Sequence, residues 1–334
     1  MAKTEILPLG CGLDVGTGNI VSARKTSTGV QSRRVRDAFL ELPLDAKKML
    51  KLANVSYVER ADELLILGDA AMDTANIFGR EARRPLSAGL VSSSDIDAME
   101  ILALLIKNVL GEPQSPGEHC YFSVPAAPVD RPGQDVIYHR GVLEKIVREC
   151  GYTPTAGNEA MAIIYAETAQ ENFSGIGLSF GAGMTNVALA MNTIEGLSFS
   201  VGRGGDWIDN GAAKSIGSTS SRICAIKEKG VDLNAPVGRD QEAITFYYRN
   251  LIEYAIDQIA LQFMSIQGKF SLPRPVPIIV SGGTSKAGGF LDLFKAVFEK
   301  KRKKFPIEVS EVRAATDPLN AVANGLLIQA MQEE

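Results

Sequence analysis

The sequence is poor in histidine, cysteine and tryptophan, with two, four and one in 334 residues, and it has no long apolar run. Cys11, Cys120, Cys150 and Cys224 are scattered with no C-x-x-C pair. That argues against a disulfide scaffold or a zinc site and for reduced, buried thiols. His119 stands beside Cys120 but has no further ligand at metal spacing, so packing is its expected role. The most apolar window, residues 101–110, is interrupted by Lys107 and Asn108 and falls well short of the roughly 20 residues that span a membrane. The first ten residues are too short and too polar for a signal peptide, which points to the cytoplasm. Basic charge is not in excess either. A net charge of −4 and a pI near 5.5 argue against a dedicated nucleic-acid binder, although a local basic patch stays open.

What is present is ordinary globular material, 45% hydrophobic and 22% charged, in a chain long enough for two domains of roughly 150 residues. Residues 11–25 read as strand, glycine turn and strand, with Gly16-Thr17-Gly18-Asn19 in the turn. A hairpin is expected over residues 55–68 around Ala61-Asp62-Glu63, and a helix over 95–110 with Met99, Leu102, Leu105 and Ile106 on one face. Residues 121–125 read as a buried strand, and 134–150 and 158–168 as helices. The pattern then restarts: Gly177-Leu178-Ser179-Phe180-Gly181-Ala182-Gly183 repeats the template of Gly12 to Gly18. One such turn means little, because any tight hairpin can need glycine. Two copies, each opening half of the chain, suggest duplicated halves facing one ligand. Gly204-Gly205-Asp206 opens a further helix, residues 242–266 form a long amphipathic one through Tyr247, Leu251, Ala255, Ile259 and Phe263, and residues 276–280 form a strand. Asp317-Pro318 is expected to start the last helix, with Asp317 as N-cap. Strands alternating with helices imply an α/β fold.

A polyphosphate calls for backbone N–H donors with no Cβ in the way and a divalent cation held by carboxylates. The turns at Gly16, Thr17 and Gly18 and at Gly181, Ala182 and Gly183 supply such donors, with side chains of Thr17, Asn19 and Thr185 in reach. Asp14 is the natural carboxylate for Mg²⁺ through water, and equally a strand-end residue that satisfies turn amides. Glu159 at a helix start could orient or deprotonate a water, or simply favour the helix dipole. Gly282-Gly283-Thr284 permits close approach of a base or sugar, or is a plain strand-to-helix turn. Glu228 and Lys227 could meet ribose and base, or form a solvated helix face.

In this order the segments resemble the five nucleotide motifs of the actin superfamily, bacterial actin branch (MreB and MamK). Asp14 to Asn19 looks like the first phosphate loop, Asn158 to Ala162 the first connecting helix, and Ser179 to Val187 the second phosphate loop. Ser281 to Phe290 looks like the adenosine motif and Asp317 to Ala323 the second connecting helix. Arg83-Arg84-Pro85-Leu86 with Gly89-Leu90-Val91 is similar to a further run of bacterial actins, and Cys224 to Glu228 to the ribose-contacting helix. The resemblance implies an actin-like ATPase fold, two ribonuclease H-like lobes around a cleft. One lobe would comprise residues 1–160 and 318–334 with an outer part near 30–85. The other would comprise 161–317 with a reduced outer part near 218–242. It also implies ATP or ADP with Mg²⁺, hydrolysis through a water positioned by Glu159, Met184 and Gly204 among the nucleotide contacts, and polymerisation of the chain with itself, with an adaptor or cargo protein as a further partner.

The chain departs from that pattern. Ser179 stands where the family has a Mg²⁺-organising aspartate, and serine offers only a neutral hydroxyl, so a metal role for Ser179 and the rate of hydrolysis stay open. Ala182 and Met184 replace glycine and threonine. Only about ten residues separate the helix ending near Gly230 from the one starting near Gln241, and no membrane anchor is evident. The leading expectation is a filament-forming ATPase; next comes a non-polymerising regulator or chaperone-like module, and last a sugar or acetate kinase, for which His119 and His139 lie outside the motifs. The run Lys300-Lys301-Arg302-Lys303-Lys304 suits DNA, an acidic partner or lipid, but a solvated helix end better.

Overall fold

The structure is a computed structural model and describes residues 10–92, 97–134, 136–266, 268, 270 and 272–333. Residues 1–9 of the expected polar N-terminal segment and residues 95 and 96 of the expected 95–110 helix lie outside them. β1 (Cys11–Val15), β2 (Asn19–Thr26) and β3 (Gly29–Arg36) form an antiparallel meander. β4 (Phe39–Pro43), α1 (Lys47–Leu52), β5 (Val58–Glu59), β6 (Glu63–Leu67) and α2 (Asp69–Phe78) make an outer unit. It has its own sheet, β4-β6-β5, and a small core of Leu40, Leu42, Leu50, Leu64 and Ile66. The expected hairpin is the β5–β6 pair, closed by Arg60 N–H to Glu63 O at 2.9 Å.

A tight hairpin, β7 (Leu86–Ser87) with β8 (Leu90–Val91), leads to α3 (Ala98–Leu110), β9 (His119–Val124), α4 (Val136–Glu149) and β10 (Thr153–Asn158). β9 joins β1 in parallel and β10 joins β9, giving the order β10-β9-β1-β2-β3. α3 turns Ile101, Leu102, Leu105 and Ile106 into that core, the period-3.6 stripe that its spacing dictates.

α5 (Glu159–Glu167) opens the second half. Asn158 caps it, its Oδ1 accepting the N–H groups of Ala160 and Met161 at 2.9 and 3.0 Å. β11 (Gly175–Phe180), β12 (Thr185–Met191) and β13 (Ile194–Val201) form another antiparallel meander. α6 (Gly205–Ile216), α7 (Ser220–Gly230) and α8 (Gly238–Ser265) follow, then β14 (Val276–Ser281), α9 (Phe290–Lys301), β15 (Val309–Ala314) and α10 (Ala321–Ala330). The order here is β13-β12-β11-β14-β15, with β14 and β15 parallel to β11. Both sheets are thus a three-strand meander extended by two parallel strands, the duplicated architecture that the repeated glycine turn suggests.

α10 packs on the first sheet and α5 on the second, and the two helices pack against each other. Gly12 and Gly177, equivalent positions of β1 and β11, make this possible. A Cβ on Gly12 would lie 2.0 Å from Ala323 O, and one on Gly177 would lie 2.3 Å from Ala160 O.

Two boundaries differ from the sequence reading. The last helix starts at Ala321, because the Pro318 carbonyl is taken by Gly282 N–H at 2.9 Å and the Ser281 hydroxyl at 3.1 Å. Asp317 still caps a turn, its Oδ1 accepting Leu319 N–H at 3.1 Å. α8 begins at Gly238, and residues 231–237 carry no strand; they lean on Gly288 through Leu233 N–H to Gly288 O at 2.8 Å. The basic run ends α9 in a 3-10 turn with residues 302–304 exposed, where Lys301 pairs with Asp257 at 2.5 Å and Arg302 with Glu299 at 2.7 Å. No helix among the described residues is long and apolar enough to cross a membrane.

Candidate functional site

The two glycine turns have the same internal bond. Gly16 N–H donates to Asn19 O at 3.1 Å, and Gly181 N–H donates to Met184 O at 2.9 Å. Each follows the first strand of its sheet, so strand geometry delivers both to the same edge. They meet across the molecule: a Cβ on Gly18 would stand 3.4 Å from the Ala182 methyl, and one on Gly183 would stand 2.7 Å from Thr17 Oγ1. Beneath and beside them lies a cleft of about 470 Å³.

The floor of the cleft is acidic. Asp14 is the last residue but one of β1, beside Ser123 of β9, whose hydroxyl accepts Val15 N–H at 2.8 Å. Burial pushes the Asp14 carboxyl up to about 6, with Ser123 opposing. Glu159 at the start of α5 is pushed to about 8, by burial first and then by the Asp14 charge. Two carboxylates this close either share a proton or await a cation. Asn186 of β12 donates from Nδ2 to Glu159 Oε2 at 2.7 Å, while its own Oδ1 is buried without a partner.

The sequence model of the Volactin family matches residues 9–330, nearly the entire chain. This chain belongs to the Volactin family. No curated protein matches its sequence. Solved structures share the fold at low identity. The MamK double helical filament is 20% identical at a TM-score of 0.75, with 98% of this chain and 99% of that one covered. MreB5 of Spiroplasma citri bound to ADP is 16% identical at 0.64, with 96% of each covered. The ethanolamine utilization protein EutJ from Carboxydothermus hydrogenoformans is 18% identical at 0.56, covering 98% and 92%. The actin-like ATPase fold is therefore the fold of this Volactin-family chain.

Most residues singled out in the sequence line the one cleft. Asp14, Gly16, Thr17, Gly18, Asn19 and Glu159 form its first side. Ser179, Gly181, Ala182, Gly183, Met184, Gly205 and Asp206 face them, and Lys227, Glu228, Gly282, Gly283 and Thr284 close the far end. Two do not line it. Thr185 is fully buried and gives its hydroxyl to Arg203 O at 2.8 Å, because strand alternation turns it away from its neighbour Met184. Gly204 packs beneath the second turn, where a Cβ would meet Ala182 O at 2.4 Å. Both residues support the loop.

Several side chains around the cleft escape a sequence reading: Asn186, Ser123, and Asp209, which anchors the expected Lys227. Lys227 is anchored by Asp209 at 2.8 Å and by Gly205 O at 3.0 Å. Burial raises the Asp209 pKa, with Lys227 opposing. Asn186 and Ser123 were signalled only as polar residues inside apolar strands, and Asp209 only by standing one helical turn after Asp206. The cleft is bridged by Arg84 to Asp206 at 2.8 Å and by Arg36 to Glu228, pairs that no local pattern announces.

Proposed function

We propose that this Volactin-family chain is a nucleotide-dependent, filament-forming actin-like cytoskeletal protein that binds ATP with Mg²⁺ and hydrolyses it slowly. The observation that carries the proposal is the pair of like glycine turns facing each other over one cleft, with Asp14 and Glu159 at its floor. Amides from both turns suit a chain of phosphates from two sides. The MamK variant bound to AMPPNP and MreB5 bound to ADP are fold relatives whose ligand class fits such a cleft.

The residues present fit the cation too. Among the described residues no basic side chain pairs with Asp14 or Glu159, and the orphaned Asn186 oxygen marks a place for a hydrogen-bond donor such as water. No cluster of three metal-binding side chains exists among them. That matches Mg²⁺, which keeps its waters and takes one or two carboxylates plus phosphate oxygens. Bound Mg²⁺ neutralises charge developing on the phosphates. Asp14 would hold the water shell of that cation, whose charge would bring Glu159 to its ionised form, so that Glu159, fixed by Asn186, could accept a proton from the attacking water. Glu228 serves the ribose, and Gly282, Gly283 and Thr284 the base. The lobes are residues 1–160 with 318–334, and 161–317; the partners are further copies and an adaptor or cargo, in the cytoplasm.

Pelleting of micromolar protein with Mg²⁺ and ATP, ADP or a slowly hydrolysed analogue tests this. Sedimentable polymer in at least one nucleotide state is expected, and monomer in all of them defeats the proposal. A second reading, a non-polymerising nucleotide-binding regulator, is favoured by Ser179, a buried neutral hydroxyl beside Asn186 on the β11–β12 ladder. It predicts tight binding, near-background phosphate release, and recovery of hydrolysis in Ser179→Asp.

A further inference from the structure

Arg84 stands between two acids on opposite sides of the cleft. Its Nη1 donates to Asp206 Oδ1 at 2.8 Å, joining the segment before β7 to the start of α6. Burial works against the Arg84 charge, and Asp206, with smaller contributions from Cys224 and Asp37, outweighs it. The second acid that Arg84 feels is Asp37, on its own side of the cleft just after β3.

Asp37 is fully buried. Its N–H donates to Gly18 O at 3.3 Å, in the first glycine turn. Its Oδ2 accepts Leu86 N–H at 3.2 Å, and its Oδ1 has no partner. A buried carboxylate with one bare oxygen does not stay charged, and burial lifts this one to about 8. If the cleft opens, Arg84 loses Asp206, and Asp37 is the acid left beside it.

We propose that Asp37, Arg84 and Asp206 form a proton-linked latch across the cleft. Closed, Arg84 holds Asp206 and Asp37 keeps a proton; open, Asp37 releases that proton to solvent and takes Arg84. Charged and titratable groups on the neighbouring elements are Arg36 at the end of β3, paired with Glu228 of α7, Arg83, whose backbone pairs with Phe39, Asp69 at the start of α2, behind Gly68 whose N–H donates to Ala38 O, and Cys224 of α7, which acts on Arg84. The first glycine turn brings no charge to it.

Opening releases a proton, so rising pH favours the open cleft, by at most about tenfold per pH unit. The test is hydrogen exchange of the amides of residues 16–19 and 181–184 in nucleotide-free protein from pH 5.5 to 8, corrected for the intrinsic rate. It therefore does not depend on nucleotide binding. Asp14 and Glu159 titrate in every variant, so the difference from wild type is what counts. Protection in wild type falls as pH rises. Asp37→Asn stays protected and loses at least most of that slope; Arg84→Gln is open and flat. A wild-type slope in Asp37→Asn, or unchanged protection in Arg84→Gln, overturns the latch. Should Asp37→Asn fail to fold, Asp206→Asn carries the test: it frees Arg84 for Asp37 and removes the slope, and a retained slope overturns the proposal equally.

Discussion

Glu159, the proposed base, and His139 are both buried titratable groups, and their neighbours set them apart. Glu159 sits beside Asp14 and is held by Asn186 at 2.7 Å. Glu159→Gln keeps the shape and removes the base, so phosphate release should fall about 100-fold or more while nucleotide affinity changes little. Equal rates in mutant and wild type would remove Glu159 from the mechanism. His139 of α4 accepts Val91 N–H at 3.2 Å on Nδ1, and its Nε2 is buried without a partner. Burial lowers it from 6.5 to about 4. Above pH 6.5 both folded and unfolded chains carry it neutral, and it contributes no pH dependence. As pH falls from 6.5 to 4 the unfolded chain takes the proton first, so stability is lost, by up to about 3 kcal/mol. Urea midpoints at pH 7.5 and pH 5 should therefore diverge less in His139→Asn than in wild type. Parallel shifts in the two proteins would count against this assignment.

At the scale of elements, two glycines set how closely helices approach sheets. Gly12→Ala and Gly177→Ala each drive a methyl into a helix carbonyl of α10 or α5. Overpacking of this kind costs roughly 1–3 kcal/mol or more, so denaturation midpoints should fall clearly in both. Gly141, exposed in the middle of α4 with open space around its Cβ position, is the control. Gly141→Ala should stabilise by roughly 0.5–1 kcal/mol. The sequence made the duplicated turns and the strands before them readable, since glycine spacing and apolar runs are local signals. It also reached most of the cleft residues through the order of the motifs, but not Arg34, Arg36, Asp69, Asp209 or Tyr248. It missed the side of the strand on which Thr185 lies, which follows from pairing with β11 and β13. It also missed the start of α10, decided by a carbonyl shared with residues 281 and 282. Contacts such as Arg84 to Asp206 join residues 122 positions apart and have no periodicity to betray them.

Among the described residues, two large apolar cores share no residue, one under each five-stranded sheet. They are tied together by the packing of α5 on α10 and by the bridges over the cleft. Each core is large enough to unfold as a cooperative unit, and the polar bridges between them are partly open to water. Arg84 and Asp206 keep 24% and 34% of their side-chain surface exposed, so that pair can bias the cleft toward closure without fusing the two cores into one cooperative unit. Calorimetry of the nucleotide-free protein should therefore show two overlapping transitions. A ligand gripped by both glycine turns binds only when both halves are folded, and it stabilises them jointly by mass action, about 2.7 kcal/mol at 100 times its dissociation constant. With Mg²⁺ and ATP the transitions should move upward and merge into one. If only one transition moves, the ligand is held by one half alone, and the reading of a cleft closed from both sides fails.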